Sequence, residues 1–397
     1  MPFIRKILHF DLDAFFCAVE ENRDASLRGK AFAVGGRPDQ RGVVASCSYA
    51  ARKVGVRSAM PMARALKLCP ELDIIPGHYQ LYRQASRQVM AKIHEITPLV
   101  EQISIDEAFL DVTDLAESGE EIAHHLQTAI LQDLNLPCSF GIASNKLVAK
   151  IATDVGKSKA RQAGRPPNAI QVVPPGKEQE FLAPLPIEAL WGVGPKTAAA
   201  LSEIGIQTIG DLAQVPEATL IERFGKLGHE LALRSRGIDD RPVTLEHAVK
   251  SISQETTFVK DVSERKVLVD TLQQLSLHVV RQLQQKHLEC STIKLKLRWS
   301  DFSTISRQVT LQHPTDQPEI ISEQAKSLFL SAWIAYQPVR LIGMGVSGLS
   351  PHQLSLWEVA TEKQRREREL RLNTALQDLR ERYGDQIILI GGENKED

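Results

Sequence analysis

The sequence lacks most of what would mark a secreted, membrane-embedded or metal-cluster protein. It has five cysteines, Cys17, Cys47, Cys69, Cys138 and Cys290, odd in number and far apart. That spacing excludes a disulfide framework and a CxxC zinc site, and predicts a reduced, cytoplasmic protein. No apolar run approaches the roughly 18 residues a membrane span requires. Met1 to Ile7 leads straight into a strand-like pattern, so neither a signal peptide nor a membrane partner is expected. Net charge is −1, which gives no bulk attraction to nucleic acid. There is no internal repeat and no low-complexity tract; the charged run 362–370 comes nearest.

What is present is a chain of 397 residues, enough for roughly two to four domains with their own cores. Its charge is uneven. Residues 15–77 carry ten Lys/Arg against six Asp/Glu, and residues 246–349 carry twelve against ten. Residues 168–245 carry seven against ten. Neutrality of the whole therefore conceals local basic surface of the kind that meets phosphates.

Residues 1–165 alternate strand-like and helix-like patterns, as an α/β body does. Lys6 to Asp11 reads as a buried strand and Phe15 to Glu21 as a helix, with Asp13 as its N-cap. Residues 31–34 and 43–46 predict a hairpin around Gly35 to Pro38. Residues 166–240 read as short helices punctuated by glycine. The order strand, helix, strand, strand, helix, strand over 250–349 predicts a split βαβ sheet with two helices on one face. Residues 358–384 read as a charged helix.

Two acidic clusters stand at strand ends. His9-Phe10-Asp11-Leu12-Asp13 closes an apolar strand, and Ser104-Ile105-Asp106-Glu107 lies between two apolar half-strands. Neighbouring strand residues face opposite ways, so Asp106 and Glu107 reach one site only if the chain bends between them. No lysine or arginine lies within four residues of either, which leaves a divalent cation as one source of countercharge. Carboxylate oxygens suit magnesium, and two ions would clamp an in-line displacement. Acids capping turns on a solvated rim are the alternative, and the residues alone leave the two readings level.

Tyr49 and Arg52 share a helix face after the strand that carries Ser46, with Gly55 at the helix end. These groups, with Lys157, have donors suited to a triphosphate. Taken alone, the pair reads first as an ordinary amphipathic helix with an outward arginine. Leu190 to Ala198 has the form of a helix-hairpin-helix, with Gly192 and Gly194 before Pro195 and Lys196. From 290 to 299, Lys294, Lys296 and Arg298 alternate with Ile293, Leu295 and Leu297, predicting a basic row on an open sheet face, which Arg307 and Arg340 extend.

The run His9 to Glu20, the Ser104 to Glu107 element and the Tyr49/Arg52 pair resemble the Y-family of translesion DNA polymerases, over about residues 4–349 and in the family's order. The resemblance implies an α+β multidomain right-hand fold. The palm would be 1–14 and 78–166, the fingers 15–77, the helical thumb 167–240, a linker 241–249, the split βαβ little finger 250–349, and a tail 350–397. It implies template-directed, low-fidelity addition of deoxynucleotides to a primer 3′ end, by a monomer and without proofreading. Asp11, Asp106, Glu107 and the Leu12 carbonyl would hold two magnesium ions. Phe15, Phe16, Ser46, Tyr49, Arg52 and Lys157 would line the nucleotide, with Phe16 excluding a 2′-hydroxyl. The family often has Lys-Pro-Asn-Gly where this chain has Lys157-Ser158-Lys159-Ala160, which leaves the reach of Lys157 open. Two rival readings are a catalytically inactive DNA-binding scaffold and a metal-dependent nuclease. The first would be expected to lose one of the three acids, and the second has no use for Phe16 or the Tyr49/Arg52 pair.

Gln353-Leu354-Ser355-Leu356-Trp357 resembles the pentapeptide that docks on the bacterial sliding clamp. Leu354, Leu356 and Trp357 would enter an apolar groove, and Gln353 would hydrogen-bond at its edge. Deleting 353–357 is expected to lower primer extension only when a clamp is loaded. An equal loss without clamp would contradict the assignment.

Overall fold

The computed structural model describes residues 5–162, 167–246 and 248–351. The pentapeptide and the charged segment 358–384 lie outside the described residues. The chain divides into two compact units, 1–248 and 249–397.

The first unit starts with β1 (Ile7–Leu12) and α1 (Phe15–Arg23), followed by β2 (Phe32–Gly35), β3 (Val44–Cys47), α2 (Tyr49–Lys53), α3 (Met62–Leu68) and β4 (Asp73–Ile75). It continues with α4 (Tyr79–Ile96), β5 (Val100–Gln102), β6 (Glu107–Asp111), α5 (Gly119–Leu134), β7 (Cys138–Ala143), α6 (Lys146–Gln162) and β8 (Ile170–Val172). Two sheets result, one ordered β5-β6-β1-β7-β8 and a smaller one ordered β3-β2-β4. The expected hairpin is present, with Ala33 opposite Cys47 and Val34 opposite Ser46.

Strand β1 is central and buried on both faces. Leu8, Phe10 and Leu12 enter one core with Val89 and Ile93 of α4 and Ile122 and Leu126 of α5. Ile7 enters a second core with Phe109 of β6 and Leu147, Val148 and Ile151 of α6. Strand alternation therefore turns His9 and Asp11 toward α6 as well. Helix α6 approaches its sheet closely because of Gly141 in β7. A Cβ there would lie 2.0 Å from the Ala149 carbonyl oxygen and 2.5 Å from the Thr153 nitrogen.

Asp13 does not cap α1. Ala14 occupies that position in the left-handed region, φ 48°, with no side-chain cap. Asp13 is instead buried, accepting hydrogen bonds from Ser139 Oγ and the Asn168 N–H, each at 2.8 Å. The turn out of β1 takes its carboxylate inward, away from the helix end.

Five short helices complete this unit: α7 (Glu178–Leu182), α8 (Pro195–Ser202), α9 (Ile209–Gln214), α10 (Glu217–Phe224) and α11 (Lys226–Ser235). Thr208 caps α9 in a reciprocal pair with Asp211.

The second unit contains β9 (Ser251–Val262), α12 (Arg265–Gln285), β10 (Leu288–Trp299), β11 (Thr304–Thr315), α13 (Pro318–Ala332) and β12 (Val339–Pro351). Its sheet order is β11-β10-β12-β9, with every neighbouring pair antiparallel. Strands β9 and β10 are thus parallel with β12 between them, and β11 and β12 are parallel with β10 between them. The result is two interlocked split βαβ units. Leu272 and Val279 of α12 and Ile321 and Phe329 of α13 pack with Ile293, Leu295 and Leu297 of β10.

Candidate active site

Strands β5 and β6 form a hairpin, and the bend between them is held by Ser104. Its Oγ accepts from the N–H groups of Asp106 and Glu107, at 3.2 and 3.1 Å, and donates to the Asp106 carboxylate. Register places Glu107 opposite Asp11 on the face toward α6, with Phe109 opposite His9. Asp106 sits in the bend, and its carbonyl accepts from the Leu12 N–H at 2.9 Å.

One cavity of about 370 Å³ gathers Asp11, Leu12, Phe15, Phe16, Ser46, Tyr49, Arg52, Asp106 and Lys157. Asp13, Ser58, Asp154 and Arg161 also line it and were not anticipated as site residues. Asp154 and Arg161 belong to a signal that the sequence carried: α6 repeats polar residues Lys146, Lys150, Thr153, Asp154, Lys157 and Arg161 at helical spacing. Arg52 lies over the Tyr49 ring, 5.3 Å from its centre, and its Nε donates to the Cys47 carbonyl at 3.1 Å. Phe16 stacks on Tyr82, with ring centres 4.3 Å apart, and meets the edge of Tyr79. Tyr82 is held by its hydroxyl, which donates to the buried Glu20 carboxylate at 2.5 Å. Phe15 is 2% exposed and packs in the core.

Glu107 does not line this cavity. Its carboxylate turns to α6, 2.5 Å from Lys150 Nζ and 3.3 Å from His9 Nε2. Among the described residues, no three His, Cys, Asp or Glu side chains are gathered into a ready-made metal cage. Although no lysine or arginine lies near Asp106 or Glu107 in sequence, the fold brings lysines to Glu107 and Asp11. Lys150, 43 residues from Glu107 in sequence, and Lys157, 146 from Asp11, come from α6, which lies across β1 and β7. Distance along the chain was the wrong measure of electrostatic proximity.

The local fields follow. Burial raises the Asp11 carboxyl to about 6, against the opposing pull of Lys157. The hydrogen bond from His9, and then Lys150, holds Glu107 down to about 2. Burial lowers the His9 imidazole, whose Nδ1 lies 2.8 Å from Thr153 Oγ1. Burial works against the Lys157 ammonium, but Asp11 and Asp13 outweigh it and raise its value.

Residues 10–154 match the impB/mucB/samB family, residues 249–356 that family's C-terminal domain, and residues 175–206 the IMS family HHH motif. DNA polymerase IV of Desulfatibacillum aliphaticivorans is 41% identical over 96% of this chain and 95% of its own length. DNA polymerase IV of Dehalococcoides mccartyi strain CBDB1 is 37% identical over 98% and 97%. The solved Y-family DNA polymerase chimera Dbh-Dpo4(243-245)-Dbh superposes with a TM-score of 0.77 at 25% identity, covering 87% of this chain and 99% of that one. The chain belongs to the Y-family of DNA polymerases. It is a DNA-directed DNA polymerase.

Elsewhere on this Y-family polymerase, the expected nucleic-acid contacts are placed as follows. Gly192, Gly194 and Lys196 are exposed where α8 begins, and Pro195 is its first residue. Gly192 adopts φ +99°, which favours glycine. On β10, Lys294, Lys296 and Arg298 point away from the core, and Lys296 pairs with Glu255 of β9 at 2.7 Å. The basic row therefore carries an acid beside it. Arg307 is not in that row. It lies opposite Leu295, on the helix-side register of edge strand β11, because alternation sets the face and Ser306 and Gln308 take the other. Arg340 covers the Phe302 ring at 4.4 Å. Gly343 and Gly345 face Lys296 and Lys294, leaving a groove without side chains along the centre of the sheet. The Gly343-Met344-Gly345 alternation was its unread signal.

Because Glu107 ionises at about 2 in the fold, against an ordinary value of 4.5, its stabilising contribution is complete above the ordinary value and declines as pH falls toward the lower one. In metal-free denaturant titrations, Glu107→Gln should lose less stability than the parent between roughly pH 5 and 3. Identical acid slopes would show that the His9 and Lys150 contacts do not form.

Proposed function

We propose that the chain extends a primer 3′ end on a DNA template from deoxynucleoside triphosphates, at magnesium, with low fidelity and without proofreading, as translesion synthesis requires. The observation that carries this reading is the single cavity in which Asp11 and Asp106 meet Ser46, Tyr49, Arg52, Lys157 and Phe16. An inactive scaffold has no need of all three acids, and a nuclease has no need of a gate or of triphosphate donors.

Membership of the family implies dependence on a divalent cation, and the donor set fits one. The groups are hard carboxylate oxygens, held by lysine ammonium groups that an ion can replace. Asp11, Asp106, Glu107 and the Leu12 carbonyl would hold the ions. Bound magnesium would neutralise charge on the attacking 3′-oxygen and the departing pyrophosphate.

The protein's own groups do the rest. Tyr49, Arg52, Ser46 and Lys157 bind and orient the triphosphate, so that its α-phosphorus faces the primer end. Phe16, braced by Tyr82, stands where C2′ of the sugar would lie and excludes a hydroxyl there. The sequence offers no second carboxylate set for an exonuclease, which supports synthesis without editing.

In this reading the five-stranded sheet is the palm and the β3-β2-β4 sheet the fingers. The helices α7 to α11 form the thumb, and β9 to β12 with their helices form the little finger, on either side of the linker 241–249. The α8 N-terminus and the β10 row hold the DNA backbone, which sets position without reading sequence. The protein works as a cytoplasmic monomer that joins the sliding clamp through 353–357.

Asp106→Ala is expected to abolish extension while primer-template affinity stays nearly unchanged. Retained extension would falsify the metal assignment. Phe16→Ala is expected to admit ribonucleotides, measured as the ratio of kcat/KM for deoxy and ribo substrates; an unchanged ratio would remove the gate from the account.

A further inference from the structure

Asp13 is an acid of the site to which the reading above gives no role. Its side chain is fully buried, yet it lines the same cavity as Asp11. One oxygen, Oδ2, is satisfied by Ser139 Oγ and the Asn168 N–H, each at 2.8 Å. The other, Oδ1, forms an ion pair with Lys157 Nζ at 3.0 Å. Lys157 itself is only 13% exposed and also reaches the Asp11 carboxylate.

The two aspartates are not equivalent partners. Asp11 is the residue the proposed reaction needs as a metal ligand. A divalent cation on the Asp11 carboxylate would compete with and repel the Lys157 ammonium there. Asp13 is outside that ligand set, and its Oδ2 is pinned by two donors from β7 and the segment before β8. It therefore stays in place when Asp11 changes partner. An ammonium has three N–H donors, so Lys157 can keep one on Asp13 and turn others to a phosphate. A buried lysine with its only fixed anchor on one side has its range of motion set by that anchor. Arg161 and Asp154, the other charged groups of α6 at the cavity, make no such contact with Lys157.

We propose that Asp13 is the positioning residue of Lys157. It would hold the ammonium when the Asp11 carboxylate serves a metal ion instead, and aim it at the triphosphate. The proposal rests on the polymerase reading of the same cavity.

The experiment is equilibrium binding of a non-reactive deoxynucleoside triphosphate analogue to the full chain with primer-template, alongside steady-state kinetics. Asp13→Asn keeps an acceptor for the Ser139 and Asn168 donors while removing the charge that faces Lys157. It should weaken the analogue roughly tenfold or more and raise KM for the nucleotide, with primer-template affinity unchanged. Lys157→Met should do the same, and the double variant should bind no worse than Lys157→Met alone, since the two act as one unit. Analogue affinity within about twofold of wild type in Asp13→Asn, or losses that multiply in the double variant, would overturn the proposal. A structure of the wild-type ternary complex provides a test independent of how the variants fold. Lys157 Nζ should remain within about 3.5 Å of Asp13 Oδ1 after leaving Asp11, and a longer separation rejects the anchor. Wild-type primer extension is the separate control: its absence would sink the polymerase reading, whereas normal nucleotide binding by Asp13→Asn sinks only this inference.

Discussion

The site depends on laying one positively charged helix face over a row of buried acids. Lys146 pairs with Glu101 at 2.7 Å, Lys150 with Glu107 at 2.5 Å, and Lys157 with Asp11 and Asp13. All three lysines belong to α6, and the acids belong to β1, the turn after it, and the β5–β6 hairpin. An unpaired carboxylate at such depth costs several kcal/mol, so the cluster is sustainable only while the helix keeps its position. Gly141 provides that position by removing the one side chain that would hold α6 away from the sheet. Packing and electrostatics are therefore joined at this contact.

Asp11 is raised by burial even with Lys157 beside it. Glu107 is in the opposite condition, held ionised by His9 and Lys150. On the Phe16 side of the cavity, Glu20 fixes the Tyr82 hydroxyl, and Tyr82 supports the Phe16 ring by stacking. Phe16 is placed by a buried hydrogen bond two residues removed from it in contact.

In the second unit the hydrophobic alternation of β10 makes one face core and the other polar, and the glycines of β12 open that polar face. Lys294, Lys296 and the paired Glu255 flank the strip that Gly343 and Gly345 leave without side chains of β12.

By itself the sequence determined the element order, the hairpins, the helix-hairpin-helix signature, the split βαβ pattern and the acids worth following. Each of these is a matter of local periodicity, turn chemistry or residue type, and those act over a few residues. Only the tertiary structure decided which lysine meets which acid, that Glu107 faces α6 and not the cavity, that Asp13 is a buried member of the site instead of a cap, and that Arg307 leaves the basic row. Charge pairing depends on distance through space, and the partners here are separated by 43 to 146 residues of chain. The facing of Arg307 depends on strand register, where a shift of one residue reverses the side.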